Sequence, residues 1–391
     1  MVWILASTLW PRSAGDAGNR RRFAAIGPRA PRLSAPFFLP ALRAADSEPS
    51  PIDGGVIADD NSLRVIHGDC LSAVELDGTV RWTRAVRDLD AAIVIPPSLP
   101  SMVDEVEDGE TNEEAEGPEE AVVPSGPPRL VRSLPTALAG GHTLLGVTRG
   151  AIIVDARGEV VAQVAQELMD DSGPSPCVTG SGVPVLSTIA EGVFAWEQGG
   201  LRRLGTFGYD VVPPAVYRDD SLAISGYAGR GFCRVTLAGD VVWTTELAEA
   251  DLLPSINSSQ HAAVGSRNDR CSAFYGASGA TLGIHPCAAV FAEYPDGGWI
   301  AVSDCAVARI DSSANKIWWA EIATTLRWGV LGPIVDPDGM IYVQDGESLV
   351  ALDASGTAKF SVWLGKSVGP VFPVGAGRFA VVADGVLRFI G

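Results

Sequence analysis

The chain has 391 residues, including 44 Gly and 27 Pro, with 47% hydrophobic and 19% charged residues and a formal charge of −18. The apolar content excludes a disordered chain, and no run of eighteen apolar residues is present to form a membrane-spanning helix. The acidity excludes nucleic-acid binding through a general basic surface. Gly and Pro recur along the whole length, which is the punctuation of many short strands, so the sequence predicts a mostly β protein.

In chain order, residues 1–45 carry seven Arg against a single acid, Asp16. Residues 1–32 read as a disordered basic tail ahead of one domain, 33–391. The apolar stretch Val2 to Trp10 has no preceding basic residue and no small-residue cleavage site, which makes a poor export signal. The expected compartment is therefore the cytoplasm, with the periplasm or exterior as the alternative if the stretch is a divergent signal. Phe37 to Leu42 follows as a candidate edge strand, because Pro40 within it cannot donate to a sheet ladder on both sides.

A repeat of about forty residues then begins. Gly78 is preceded by Leu71, Ala73 and Val74 and followed four positions later by Trp82. The same frame recurs at Gly239 with Trp243, Ala314 with Trp318 and Gly356 with Phe360, and weaker copies centre on Gly158, Gly200 and Gly279. Successive centres lie 80, 42, 39, 40, 35 and 42 residues apart. The clearest copy, Gly332 to Phe360, reads as four strands (333–335, 340–344, 348–353, 357–363) divided by Asp338-Gly339, Asp345-Gly346 and Ser355-Gly356, dipeptides suited to tight turns. The double interval is an insertion at 89–130. Its run Asp104 to Glu120 holds ten acids in seventeen residues and no aromatics, too little apolar surface to offset the cost of ordering. After Gly356 three further strands end the chain.

A four-stranded unit of forty residues arranged around an axis is a β-propeller blade. The expectation is an all-β propeller of eight blades, with seven as the alternative because the copy around Gly279 is irregular, and with the last blade closed by an N-terminal strand. Residues 1 to about 30 and 98 to 127 are expected to be dispensable for folding.

The string Leu349-Val-Ala-Leu-Asp-Ala-Ser-Gly356 and its echo Leu71-Ser-Ala-Val-Glu-Leu-Asp-Gly78 resemble the repeat of the pyrroloquinoline-quinone-like (PQQ-like) β-propellers, over about residues 49 to 391. The resemblance implies that Trp82, Trp243, Trp318 and Phe360 are structural wedges between neighbouring blades. The family includes quinoprotein dehydrogenases, which use a vicinal Cys pair and acidic calcium ligands, and a barrel-assembly lipoprotein anchored through an N-terminal Cys. This chain has neither pattern, so no quinone or other cofactor, no metal and no catalytic residue is expected.

Local motifs agree. The six Cys form no C-x-x-C and no adjacent pair, which points to buried thiols. The four His (His67, His142, His261, His285) share no frame and read as structural. Asp336-Pro-Asp338-Gly339 lacks the remaining ligands of a calcium loop and reads as a turn. In a propeller the connections between blades share a face with the turns between second and third strands, and this face lines the funnel. The partner-binding candidates there are Tyr209, Arg327, Trp328, Arg149 and Arg230. The expected function is a non-catalytic, bacterial-type protein-interaction platform, a monomeric ring with a protein partner, no nucleic acid and no membrane span. The acidic insertion would speed the encounter with a basic partner. The alternative is a propeller-based enzyme or small-ligand sensor with its site in the funnel.

Overall fold

The computed structural model describes residues 25–39, 54–93, 135–165, 175–188, 192–198, 200–205, 213–225, 231–245, 247, 250–322, 332–366, 368–375 and 377–391. They form eight antiparallel sheets whose strands are hydrogen-bonded in sequence order, seven of four strands and one of three. Blade 1 runs from Gly54–Ile57 to Val80–Ala85, blade 2 from Thr136–Ala137 to Val160–Ala165, blade 3 from Ser175–Val178 to Gly200–Gly205 and blade 4 from Ala215–Val216 to Val241–Thr244. Blade 5 runs from Ser255–Ile256 to Thr281–His285, blade 6 from Val290–Glu293 to Lys316–Glu321 and blade 7 from Ile334–Val335 to Ala358–Trp363. Blade 8 has Phe372–Gly375, Arg378–Ala383 and Val386–Ile390.

Hydropathy along each blade follows from position. Strands such as Leu63–His67 and Cys70–Val74 are buried throughout, because blades cover both of their faces. Outer strands such as Lys316–Glu321 and Ala358–Trp363 alternate between exposed and half-buried residues. The core is a set of slabs between blades: Ile66 and Leu71 of blade 1 pack with Leu145, Val147 and Ile152 of blade 2, and Trp82 lies against them. In blades 1, 2, 6 and 7 an Asp of the turn between third and fourth strands accepts backbone N–H groups of that same turn. In blade 7, Asp353 Oδ1 accepts the Ser355 and Thr357 N–H groups at 2.9 and 3.0 Å. Gly356 completes that turn at φ +81°, a conformation without steric cost only for glycine, and the bulge at Ala351/Leu352 follows from it.

The outer strand of one blade meets this turn in the next. The Trp82 indole donates to Ala156 O at 2.8 Å and lies over Gly158. Trp243 does the same with Ala277 O and Gly279, and Trp318 with Ala354 O and Gly356. Phe360 packs against the cluster shared by blades 1, 7 and 8. Between blades 3 and 4, Arg202 supplies the donor instead, to Leu237 O at 2.8 Å. Between blades 5 and 6 the pattern is inverted. Gly283 stands at the wedge position and Ala314 at the turn, with φ +66°, and a Cβ on Gly283 would come 2.9 Å from that of Ala314.

The ring is closed by the N-terminal segment, at a register different from the expected Phe37–Leu42. Leu33 pairs with Ile390 and Phe37 with Leu387. Ser34 N–H bonds to Phe389 O at 2.8 Å, and Phe37 and Leu387 exchange bonds of 2.8 and 3.0 Å. Among the described residues the pairing stretch is 32–37; residues 40–42 of the expected strand lie outside them. Phe37 ends it by turning its ring edge-on to Phe389, 5.4 Å between centroids, and against Gly78 of blade 1, the place a Trp takes at other seams. Residues 25–32, assigned to the tail, belong to the ring: Gly377 N–H bonds to Ile26 O at 2.7 Å, and Gly27 and Arg29 bind blade 7. The backbone groups of residues 25–32 thus complete sheet and turn hydrogen bonds of the ring, against the reading of 1–32 as a disordered tail. Residues 1–24 and 98–127 lie outside the described residues. The insertion also starts later than residue 89. Val86–Ala91 is a helix with Val86 and Leu89 buried, and Ile93 beyond it is buried too, since these apolar positions find the flank of blade 2.

Candidate partner-binding face

Sequential antiparallel order places first–second and third–fourth turns on one face, and second–third turns together with the interblade connections on the other. The two faces differ in chemistry. On the first, the turns are joined seam by seam. Asp59 of blade 1 accepts the Gly140 and Gly141 N–H groups of blade 2, both at 2.7 Å. Ser181 N–H bonds to Asp220, Arg218 N–H to Gln260 Oε1 at 2.8 Å, Asn257 Nδ2 to Gly297 O at 2.7 Å and Ser258 N–H to Glu293 Oε1 at 2.8 Å. Within blades, Arg234 and Arg309 bind Asp219 and Asp296 at 2.7 and 2.6 Å, each guanidinium 4.0 Å from a tyrosine ring. Asp60 titrates at about 2. Burial would push it up, but bonds from Ser62 and the charge of Arg64 outweigh that.

On the connection face, a carboxylate from the incoming connection holds the backbone of a second–third turn. Asp90 Oδ1 accepts the Arg149 N–H at 2.8 Å and Asp251 Oδ1 accepts the Arg267 N–H at 2.8 Å. At blade 8 the sense reverses, and Lys366 N–H bonds to Asp384 Oδ1 at 3.2 Å. The guanidinium groups of Arg149 and Arg267 then rest 3.6 and 3.8 Å from the second oxygens of Asp90 and Asp251, with 49% and 42% of their side chains exposed. They are long cations whose base is fixed and whose head faces water.

Of the residues singled out from sequence, Arg149 is placed on this face in the arrangement just described. Tyr209, Arg230, Arg327 and Trp328 lie outside the described residues. Asp90 had been absorbed into the acidic insertion. Nothing in the linear sequence ties it to Arg149, 59 residues away.

Three of the four histidines have local side-chain partners, whereas His261 Nδ1 is buried with no hydrogen-bond partner among the described residues. His67 is buried in blade 1 and shares a 2.8 Å hydrogen bond with Ser72 Oγ, which in turn contacts Thr83 Oγ1 at 2.8 Å. Burial pulls its pKa down to about 4, so the ring is neutral at pH 7. His142 Nδ1 donates to Ala139 O and His285 Nε2 to Ala314 O. Of the cysteines, Cys70, Cys177 and Cys233 are buried and Cys305 is exposed. Burial pushes the Cys233 thiol up to about 12. Asp336 binds backbone and Arg29 rather than forming part of an ion cage. Among the described residues no group of three or more His, Cys, Asp or Glu is placed to hold a metal ion. No helix among them is long and apolar enough to cross a membrane.

The molecule is an all-β propeller of eight blades. No protein-family model matches the chain, and no curated protein does. Its fold is similar to that of several solved β-propellers. BamB from Moraxella catarrhalis is 16% identical with a TM-score of 0.55, over 92% of this chain and 97% of that one. Virginiamycin B lyase from Staphylococcus aureus is 10% identical with a TM-score of 0.52, over 92% and 99%. A streptogramin B lyase is 10% identical with a TM-score of 0.50, over 92% and 97%. At these identities the likeness is one of fold.

Proposed function

We propose that this chain is a divergent member of the PQQ-like propellers that acts without catalysis, as a platform for a protein partner docked on the connection face. The observation that carries the reading is the pair Arg149 and Arg267. Each has its backbone tied to a carboxylate of the preceding connection, while its guanidinium stays half-exposed. A cation held this way loses little freedom when a partner carboxylate or carbonyl reaches it, and Arg offers a planar fork of donors for the purpose. The non-catalytic reading is supported by His67, His142 and His285 being engaged in local bonds and by acids engaged in turns.

The test is affinity capture from native lysate followed by rate measurements on the captured partner. Arg149→Glu with Arg267→Glu should lose it, whereas Arg157→Glu, an exposed position on the opposite face, should retain it. Retention by the double variant, or loss with Arg157→Glu, would move the working surface elsewhere.

A further inference from the structure

We propose that the outer strand of blade 6, Lys316–Glu321, is a self-association edge on which a second copy of this chain pairs, antiparallel and about a two-fold axis. The inference concerns the rim of the ring and does not depend on the connection-face reading.

An outer strand leaves a row of backbone donors and acceptors unpaired, and proteins protect such edges with charge. Blades 1 and 3 do so: their outer strands read Val-Arg-Trp-Thr-Arg-Ala and Gly-Leu-Arg-Arg-Leu-Gly. Self-pairing there would set Arg against Arg. The outer strands of blades 2, 4 and 5 carry no Lys, Arg, Asp or Glu but expose only Val161, Val241, Val242 and Ile284 as large apolar side chains. Blade 6 instead reads Lys-Ile-Trp-Trp-Ala-Glu, with charge only at its ends and an exposed Trp. Trp318 turns inward to the next blade, but Ile317 is 49% and Trp319 53% exposed. Two large apolar side chains at i and i+2 share one face of the strand, and water covers both.

The register follows from the ladder. Ile322 N–H bonds inward to Cys305 O at 3.1 Å. By alternation, Glu321 and Trp319 present their N–H and C=O groups to the free edge. A two-fold axis at Trp319 then lets that residue exchange two backbone bonds with its own copy and places the two Trp319 side chains opposite each other on one face. Aromatic pairs across strands add to the apolar area they bury. Antiparallel pairing also brings unlike ends together, since the Lys316 end of each strand runs alongside the Glu321 end of the other. Neither Lys316 nor Glu321 has an ion-pair partner among the described residues. An isologous contact of this kind closes on itself at two copies.

The test is analytical ultracentrifugation of the full chain over a concentration series. The wild type should pass from one to two copies with rising concentration. Trp319→Lys should weaken the association roughly a hundredfold, as expected for removing a central aromatic from an interface, while melting like the dilute, monomeric wild type because the side chain is exposed in the single copy. Ile317→Lys, on the same face, is the second probe, with the same loss expected, should the first variant melt early. Trp363→Lys, an exposed aromatic on the blade 7 edge, should leave the dimer intact. A wild type that stays monomeric to about 100 μM overturns the proposal. So does a dimer that survives both blade 6 variants, or one lost equally with Trp363→Lys.

Discussion

The outer edges of blades 7 and 8 meet the same physical demand by opposite routes. In blade 7 a hairpin with Gly356 at its turn brings Ala358–Trp363 back onto its own sheet, a local event written within about a dozen residues. In blade 8 the strand Val386–Ile390 is paired by residues 32–37, more than three hundred residues away in sequence. Both supply backbone partners to the sheet edge and an aromatic ring to the neighbouring blade, Phe360 in one case and Phe37 in the other. Closure depends on filling a seam, and the filler need not be covalently next to it. The non-local route carries the larger loop-closure cost, so it should be the weaker edge.

The largest effect should come from removing residues 25–39. This exposes the Val386–Ile390 edge and the pocket at Gly78, and should lower stability by about 5 kcal/mol or more, a large share of a typical folding free energy. Chemical denaturation should also show a broadened transition. A cooperative transition at unchanged midpoint would mean the segment is an ornament rather than a closure.

Acid separates the two edges next. His67 lies in blade 1, which receives Phe37 at its Gly78 turn. Its folded pKa of about 4 lies below the ordinary 6.5, so the unfolded state binds more protons between those values, and stability is lost as pH falls from about 6.5 toward 4. The full loss is about 3 kcal/mol. Amide protection, relative to the intrinsic exchange rate at each pH, should fall at Ser34 and Phe37 in this window before it falls in the blade 7 hairpin. His67→Gln should flatten the pH dependence; a profile as steep as wild type would assign it to another group.

Phe37→Ala should cost about 2 to 3 kcal/mol, toward the lower end for a partly buried aromatic, with the loss appearing mainly as faster unfolding. Asp336→Asn weakens the hold of blade 7 on the segment. Asp336 is fully buried, its Oδ2 accepting the Gly27 N–H at 3.1 Å and facing Arg29 at 3.0 Å. The cost should be about 1 to 2 kcal/mol, that of a charge-assisted bond partly retained. It should vanish in a background lacking residues 25–39, as a double-mutant cycle would show.

The smallest change probes a seam that local sequence also encodes. Gly283→Ala should destabilise by about 1 kcal/mol through contact with Ala314, and Ala314→Gly should relieve it. Additive effects would mean the inverted pair at this seam is coincidental.

The sequence by itself determined the repeat and what a repeat implies. Turn glycines, the aromatic four positions on and buried third strands recur every forty residues because each blade solves the same problem, so periodicity exposes them, and with them the fold and the number of blades. Blade 7 was readable almost strand for strand, since Ile341–Asp345 and Ser348–Leu352 lie between turns marked by Asp-Gly and Ser-Gly. Only the tertiary structure decided the features that occur once. Phe37 against Gly78, Arg29 and Gly27 on Asp336, and Asp90 beneath Arg149 join residues from different repeats and appear in no periodic frame. An apolar helix turn such as Val86–Ala91 at the edge of an acidic stretch reads as part of that stretch until the flank of blade 2 is there to bury it. Such contacts follow from chain geometry in three dimensions, where the energy of a carboxylate or a ring depends on which backbone happens to arrive beside it.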